Sequence, residues 1–337
     1  MARVMVLFGG RSAEHEVSGV SGAAVAGALR EAGHQTEAVG IDREGGWHLA
    51  DPTQSPLRPE GPEARFEVPL GLIRGGRRTF EVDVVFPVLH GPFGEDGTVQ
   101  GMLEMAGVPY VGSGVLGSAL GMDKEVAKRL FRQTGLPTPD YQVVRGPDWA
   151  ADPAGVVSRV VERLGLPVFT KPSRLGSSVG VTRAESEPEL KGGIEEALRY
   201  GEKALAEEAV RGREIEVAVL EGPRASVPGE IVPTSGWYDY RAKYEDDTAR
   251  LLAPAPLSET ESTAVRELAN QAFTVLECAG LARVDFFYEE GGRGFLVNEL
   301  NTMPGFTPIS MFPRLWELSG VSYPELVDEL VRLTLGT

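Results

Sequence analysis

Oxygen-bearing side chains cluster in one β-rich segment near the C-terminus, LARVDFFYEEGGRGFLVNELNTMPG. The central EEGGRG is a turn signal between two strand-like runs and predicts a hairpin. Because side chains alternate along a strand, Arg283 and Asp285 share one face, as do Glu299 and Asn301. Closing the hairpin brings Asp285 opposite Asn298–Glu299, within a residue of register. Asp, Glu and Asn without His or Cys are hard ligands, which predicts Mg²⁺ held jointly with nucleotide phosphates. A solvated strand pair is the alternative, and the neighbouring Phe, Leu and Val residues argue against it.

A second segment, VFTKPSRLGSSVGV, places Lys171 and a Gly-Ser-Ser loop between two strands. Small residues let backbone N–H groups approach phosphate oxygens closely, and the lysine adds a positive charge. No helix follows and the GKS or GKT ending is absent, so this is not a Walker loop. A plain hairpin turn remains the alternative.

The junction segment LAEEAVRGREIEV adds Glu207, Glu208 and Val210 between two sections of the chain. An interdomain cleft is a preferred ligand site, although such acids also occur as ordinary rim residues. Residues 236–249, GWYDYRAKYEDDTA, combine aromatic and charged side chains and predict a mobile lid. The same pattern fits an exposed surface loop equally well.

The N-terminal VMVLFGG runs directly into RSAEHEVSGVSG. A strand that ends in Gly-Gly before a helix is where nucleotide-binding proteins place a phosphate loop, but here Glu14 and Glu16 occupy it. The G-x-G-x-x-G spacing is missing, which argues against a nicotinamide-dependent oxidoreductase. In the simplest interpretation, Ser12 caps the helix and the acids favour its first turn.

The elements that must position these residues fall into three sections. The first 120 residues alternate strand and helix, which predicts a parallel sheet with ligands beyond its carboxyl ends. REIEVAVLEG alternates strictly and predicts a half-exposed antiparallel strand in the last section. Boundaries near 122 and 211 divide the chain into three sections, 1–122, 123–211 and 212–337. The predicted fold class is α/β, with α+β character in the C-terminal half. The predicted strands are 4–8, 35–41, 82–88, 167–171, 179–182 and 204–208, and the predicted helices are 18–32, 98–106, 123–134, 153–164, 187–201, 258–278, 310–318 and 323–335.

Composition narrows the class of protein. The 337 residues carry a formal charge of -16, which argues against a nucleic-acid partner because phosphates would be repelled. No apolar run approaches the ~18 residues of a membrane helix, and the short N-terminal run does not read as a signal peptide, so we expect a cytoplasmic protein. The single cysteine, Cys278, excludes an internal disulfide and predicts a buried thiol.

Taken together and in this order, the motifs resemble those of the D-alanine–D-alanine ligases of the ATP-grasp superfamily, over nearly the whole chain. The segments that carry the likeness are GGRSAEHEVS, HGPFGEDGT, GMDKEVAKRLFRQTGLPTP, KPSRLGSSVGV, EEAVRGREIEVAVL, YDYRAKY, RVDFF and VNELNTMPGFTPISMFP. The resemblance implies a three-domain ATP-grasp architecture in which the central and C-terminal domains grip ATP. It also implies that two D-alanines join through a D-alanyl phosphate to form a peptidoglycan precursor.

The resemblance further implies roles for individual residues. ATP would be held by Lys124, Lys171, Glu207, Glu208, Val210, Glu214 and the lid residue Lys243, and two Mg²⁺ (or Mn²⁺) ions by Asp285, Glu299 and Asn301. Arg283 and the backbone N–H of Gly305 would stabilise the acyl phosphate and the oxyanion. Ser310 and Met311, at a helix start, suit the second substrate's carboxylate.

For the first substrate, the resemblance implies that Glu14 pairs with the ammonium group of D-alanine and that His90 lies nearby. Ser177 would link Glu14 to Tyr244 of the lid, which closes over the intermediates and excludes water. Tyr244 favours the amide product over D-alanyl-D-lactate, and a D-alanyl-D-serine ligase stays open as an alternative. A non-catalytic ATP-binding regulator would be expected to lack metal ligands or Arg283. Dimers are usual in this family, so a homodimer is possible.

Overall fold

The fold is organised around β-sheets that follow one another along the chain. This computed structural model describes residues 1–67, 71–74, 77–233 and 249–337, and it describes side chains except at 66–67, 71–74, 77–79, 233 and 249.

The first sheet has the order β3-β2-β1-β7. Its strands are β1 (Arg3–Gly9), β2 (Gln35–Ile41), β3 (Trp47–Ala50) and β7 (Val84–Pro87), and its helices are α1 (His15–Glu31), α2 (Thr98–Met105) and α3 (Val115–Met122). β1 pairs in parallel with β2 and β7, as predicted, and its centre is wholly buried, which explains its continuous apolar run. The antiparallel edge strand β3 was not predicted.

The helix α1 begins earlier than its apolar pattern indicated. It starts at His15 with Glu14 in the N-cap position and no side-chain cap. The interpretation of Ser12 as the cap is therefore wrong. The Ser12 hydroxyl instead donates to the His90 carbonyl at 2.7 Å and ties this loop to the end of β7.

A small antiparallel sheet follows within the first section. It comprises β4 (Arg65–Glu67), β5 (Gly71–Arg74) and β6 (Arg77–Glu81). These strands were not predicted, and they follow a Pro- and Gly-rich stretch.

The second sheet is antiparallel, in the order β10-β9-β11-β8. Its strands are β8 (Tyr141–Arg145), β9 (Val168–Pro172), β10 (Thr182–Ala184) and β11 (Lys203–Glu208), and its helices are α4 (Lys124–Gln133), α5 (Gly146–Ala151), α6 (Pro153–Leu164) and α7 (Glu187–Leu198). Asp152 caps α6 by accepting from the Gly155 N–H, and Pro153 occupies the first turn. Aliphatic side chains form the core of this section: valines of α6, Leu190 and Ile194 of α7, and valines and alanines of the strands.

The third sheet is also antiparallel, in the order β15-β14-β12-β16-β17, with β13 beside β12. Its strands are β12 (Arg213–Leu220), β13 (Arg224–Ala225), β14 (Gly229–Pro233), β15 (Ala249–Leu252), β16 (Leu281–Glu289) and β17 (Gly294–Asn301), and its helices are α8 (Glu259–Val275), α9 (Met311–Leu318) and α10 (Tyr323–Leu335). Ser258 and Glu261 form a capping box at the start of α8.

The C-terminal helices connect the third sheet to the first. Phe312 and Trp316 of α9 and Leu330 of α10 share one apolar core with Val25 and Phe86 of the first section. This shared core holds the carboxyl ends of β1 and β7 close to the loop that follows β17. The boundaries near 122 and 211 stay a prediction.

Candidate active site

The predicted carboxylate hairpin forms from β16 and β17. Asp285 lies directly opposite Glu299, and Arg283 lies opposite Asn301, with a bulge immediately after Asp285. The Arg283 guanidinium donates two hydrogen bonds to the Asp285 carboxylate, from Nε to Oδ1 at 2.6 Å and from Nη2 to Oδ2 at 2.8 Å. Asn301 Nδ2 donates to the same carboxylate at 3.0 Å. The alternation and the turn thus predicted this register to within one residue.

The donor set fits a divalent cation in its chemistry, although the carboxylates are engaged by cations of the protein. Glu299 Oε2 lies 3.1 Å from Lys124 Nζ, as Asp285 lies against Arg283. In the part of the chain that the structure describes, no three His, Cys, Asp or Glu residues group as an ion site. Two carboxylates and an amide on adjacent strands are nevertheless the oxygen ligands that Mg²⁺ prefers, and ion binding would displace the two cationic side chains.

Arg283 is held by a second carboxylate that the sequence reasoning missed. Glu216 on β12 faces Asp285 across the sheet, and its Oε2 lies 3.3 Å from Arg283 Nε. Burial alone would lower the pKa of Arg283, but Asp285 and Glu216 raise it well above its usual value. The signal that could have found Glu216 is the strict alternation of REIEVAVL, which places it on the same face as Glu214.

A cleft of about 710 Å³ lies between the second and third sheets. Its size is that of a pocket for a nucleotide-sized ligand. The predicted residues that line it are Lys124, Lys171, Ser177, Glu207, Glu208, Val210, Glu214, Asp285 and Glu299. The cleft therefore brings together two of the predicted metal ligands and the predicted nucleotide residues other than Lys243, which lies outside the described residues.

Two lysines converge on one buried glutamate in the wall of this cleft. Lys171 Nζ donates to Glu207 Oε1 at 2.6 Å, and Lys128 Nζ lies 2.7 Å from Glu207 Oε2. Burial raises the pKa of Glu207, but the two lysines outweigh it and the net shift is downward. Burial, together with repulsion by Lys171, lowers the pKa of Lys128 to about 8 despite the attraction of Glu207. The sequence reasoning missed Lys128, although it stands one helical turn after Lys124 on α4.

The stem of the glycine loop is anchored by a buried aspartate. Asp123, the N-cap of α4, accepts from Ser173 Oγ and Arg174 Nε at 2.7 Å each and from Lys203 Nζ at 2.8 Å. Burial opposes ionisation, but these donors lower the pKa of Asp123 to about 2. Lys124 follows directly, and its Nζ donates to the Leu175 carbonyl at 2.9 Å. The loop and the first predicted ATP lysine are therefore fixed to one another.

The tip of the glycine loop reaches the N-terminal section. Ser177, with φ of 51°, donates its hydroxyl to Glu14 Oε1. Glu14 in turn packs closely on Gly91, where an added Cβ would lie 2.6 Å from Glu14 Oε2. A side chain at 91 would therefore displace the Glu14 carboxylate, and the φ of +75° at this position also disfavours any residue but glycine. Lys243 and Tyr244, predicted on the lid 236–249, lie outside the described residues.

The remaining predicted residues lie around the loop after β17. The His90 ring is buried, and burial lowers its pKa. Ser310 occupies the N-cap position of α9, accepts from the Thr307 N–H at 3.1 Å and stands against Gly305. Met311 is buried in the first turn of α9. Glu14, His90, Arg283, Gly305 and Ser310 thus come from distant parts of the sequence to neighbouring loops and strand ends.

Comparison with known proteins assigns both halves of the chain to the same family. Family models described as D-ala D-ala ligase N-terminus and C-terminus match residues 3–113 and 130–332. The D-alanine--D-alanine ligase of Streptomyces griseus is 48% identical, over 99% of this chain and 93% of that protein. The solved D-alanine-D-alanine ligase of Coxiella burnetii superposes with a TM-score of 0.88 at 36% identity, covering 99% of this chain and 94% of that one. The VanG D-Ala:D-Ser ligase of Enterococcus faecalis gives a TM-score of 0.86 at 32% identity, with 99% of each chain covered.

Proposed function

The chain belongs to the D-alanine–D-alanine ligase family, and on this premise we propose how it joins two D-alanine molecules, with ATP, to form D-alanyl-D-alanine for the cell wall. The observation that carries the reaction is the match of both family models along nearly the whole chain. The cleft that ends at Asp285 and Glu299 would hold ATP next to an amino-acid pocket at Glu14, whose carboxylate accepts from Ser177 of the glycine loop.

The nucleotide would lie in the cleft with its phosphates toward β16 and β17. Lys124 and Lys171 would exchange their present carboxylate partners for phosphate oxygens, with Lys243 reaching the γ-phosphate. The base and ribose would contact the other cleft residues, which are Glu207, Glu208, Val210 and Glu214. Asp285, Glu299 and Asn301 would hold two Mg²⁺ (or Mn²⁺) ions, whose charge offsets that of the phosphates.

The first D-alanine would bind with its ammonium group on Glu14, near His90. Its carboxylate oxygen would attack the γ-phosphorus of ATP, so that the bond to the β,γ-bridging oxygen breaks, ADP leaves and an acyl phosphate forms. Arg283 would lie beside the developing negative charge, and Gly305 would donate its N–H to the same oxygen. Ser177 and Tyr244 would close the pocket and exclude water, which would otherwise hydrolyse the acyl phosphate.

The second D-alanine would bind with its carboxylate at the start of α9, where Ser310 and Met311 offer backbone N–H groups. Its uncharged amine would attack the carbonyl carbon of the acyl phosphate. In the tetrahedral intermediate, the bond between the carbonyl carbon and the bridging oxygen would then break, so that inorganic phosphate leaves with that oxygen and the amine loses its proton.

A product assay tests the reaction and the acceptor together. ATP and D-alanine should give ADP, phosphate and D-alanyl-D-alanine, while L-alanine should release no phosphate. Equal amounts of D-serine or D-lactate should leave the dipeptide as the main product. A dominant D-alanyl-D-serine or D-alanyl-D-lactate product would instead establish the alternative acceptor.

Glu14→Gln tests the amine pocket. Loss of the charge should raise KM for the first D-alanine by about tenfold or more, because a charged hydrogen bond contributes about 1.5–3 kcal/mol. Glu16→Gln is the matched control, since Glu16 lies only two residues away, in the first turn of α1, and its side chain is 81% exposed. Equal increases of KM in Glu14→Gln and Glu16→Gln would refute the proposal that Glu14 binds the ammonium group.

Assembly and location are further parts of the proposal. We expect a cytoplasmic homodimer, and the exposed apolar residues Met102, Met105 and Leu116 of the first section offer it a contact surface. Among the described residues, no helix is long and apolar enough to cross a membrane. Light scattering on the purified chain, repeated with Met105→Lys, would test the dimer.

A further inference from the structure

The loop after β17 is held by side chains from the first section, more than two hundred residues away in sequence. This loop, residues 302–306, contains Gly305, whose N–H the proposed function aims at the oxyanion. Its Phe306 packs against Phe86 and Phe312 at centroid distances of 5.9 and 5.3 Å. Apolar packing of the Phe306 ring does not set the direction of the neighbouring Gly305 N–H. The direction of this N–H therefore depends on the polar contacts of the loop.

Glu95 joins this loop to the loop that carries Gly91. Its Oε2 accepts from the Met303 N–H at 3.2 Å, and its Oε1 accepts from the Gly91 N–H at 2.7 Å. Burial and the nearby charge of Glu14 raise the pKa of this carboxyl group to about 8. Carboxyl groups whose ionisation is strongly disfavoured are found most often at functional sites.

His90 and Ser21 hold the other polar atoms of the loop. The Met303 carbonyl can only accept, so the His90 Nδ1, 3.1 Å away, carries the proton. His90 Nε2 therefore accepts from Ser21 Oγ at 3.1 Å. The same oxygen accepts from the Phe306 N–H at 3.4 Å. Since burial lowers the pKa of His90, the neutral ring that this chain of hydrogen bonds requires is the stable form.

Gly305 lies between the two residues that are tied down in this way. Its own N–H makes no hydrogen bond within the part of the chain that the structure describes. An added Cβ at this position would lie 3.1 Å from Ser310 Oγ, so the backbone also passes close to the start of α9. An N–H donor must be aimed at the position of the developing charge before the reaction begins, because a misplacement of about 1 Å can lower the rate by 10²-fold.

We propose that Glu95 and Ser21 are positioning residues that fix Met303 and Phe306, and thereby aim the Gly305 N–H at the reacting carbonyl. The inference rests on the role given to Gly305 in the proposed function. Neither side chain needs to touch substrate, ATP or metal for this role.

Glu95→Gln is the decisive variant, because it keeps the shape but replaces one accepting oxygen with an amide group that donates. We expect kcat and kcat/KM to fall together by about tenfold or more, since an interaction made only in the transition state is lost. KM for ATP should stay within about twofold of the unchanged protein. Ser21→Ala should give the same pattern with a smaller fall, because it removes the contacts to Phe306 and His90 but leaves Glu95 on the Met303 N–H.

Glu104→Gln is the matched control, an exposed carboxylate on the neighbouring helix α2 that accepts from the Tyr110 hydroxyl. It should leave kcat within about twofold. A thermal melt of each variant shows whether it is folded.

If the unchanged protein makes D-alanyl-D-alanine but Glu95→Gln keeps its kcat, the inference is wrong while the proposed function stands. A rise in KM for ATP in proportion to the fall in kcat would also overturn it, because that indicates general loosening. No dipeptide from the unchanged protein would instead reject the proposed function.

Discussion

Replacing Lys128 by methionine tests the buried charge cluster in the wall of the ATP cleft. Lys128 and Glu207 are 1% and 2% exposed, and their charged atoms lie 2.7 Å apart. Methionine keeps much of the length and the apolar stem but removes the charge. The variant therefore isolates the ionic contact from the packing around it.

The expected loss follows from what remains around Glu207. Removing one partner of a buried ion pair costs about 3–5 kcal/mol when the other charge is left alone. Here Glu207 retains Lys171 at 2.6 Å. We therefore expect the lower end, about 3 kcal/mol, as the loss in free energy of unfolding.

The larger effect of Lys128→Met should be on the affinity for ATP. In the unchanged protein, Lys171 can turn to a phosphate while Lys128 still balances Glu207. In Lys128→Met, the movement of Lys171 to the phosphate would leave the buried Glu207 carboxylate without either of its two lysine partners. Losing a hydrogen bond to a charged group amounts to about 1.5–3 kcal/mol, so affinity for ATP should fall by roughly 10- to 100-fold.

Two measurements separate these effects. Denaturant unfolding gives the free energy of unfolding, and calorimetric titration with a non-hydrolysable ATP analogue gives affinity without catalysis. Lys191→Met, at an exposed position of α7, is the matched control and should change neither. An affinity within about twofold of the unchanged protein would refute the idea that Lys128 frees Lys171 for the nucleotide.

Further predictions concern pH, the loop stem and a close backbone contact. Because burial raises the pKa of Glu95 from 4.5 to about 8, its stabilising effect is complete below pH 4.5 and is lost as pH rises through 8. The stability difference between the unchanged protein and Glu95→Gln should thus shrink from pH 5 to pH 9, and a constant difference would contradict it. Asp123→Asn should lose about 3 kcal/mol of unfolding free energy, because Asp123 holds two cations, whereas the exposed Asp148→Asn should lose almost nothing. Gly117→Ala should lower the melting temperature, because its Cβ would meet a backbone carbonyl oxygen at 2.5 Å. Gly101→Ala, whose Cβ has nothing nearer than 3.8 Å, should not lower it.

Periodicity and turn chemistry determined much of the fold. The strand 35–41 and the helices 153–164 and 323–335 agree with the structure to the residue. The strands β3 to β6 escaped prediction, because short edge strands near a Pro- and Gly-rich stretch carry little periodic signal. The start of α1 was misplaced because its first turn holds polar residues that an apolar pattern does not count.

The hairpin shows what the sequence by itself determined about the site. Side-chain alternation and a glycine turn are local properties, so the position of Asp285 opposite Asn298–Glu299 followed from the sequence to within one residue. The ordered motifs also indicated the family, which the comparisons confirm.

Only the tertiary structure decided how distant charges share partners. Lys128 and Lys171 meet on Glu207, and Glu95 reaches Met303 across 208 residues of chain. No periodicity encodes such contacts, because they depend on how sheets and helices pack in three dimensions. The physical reason is that burying a charge is favourable only beside a specific partner, and the folded backbone, not the local sequence, supplies that partner.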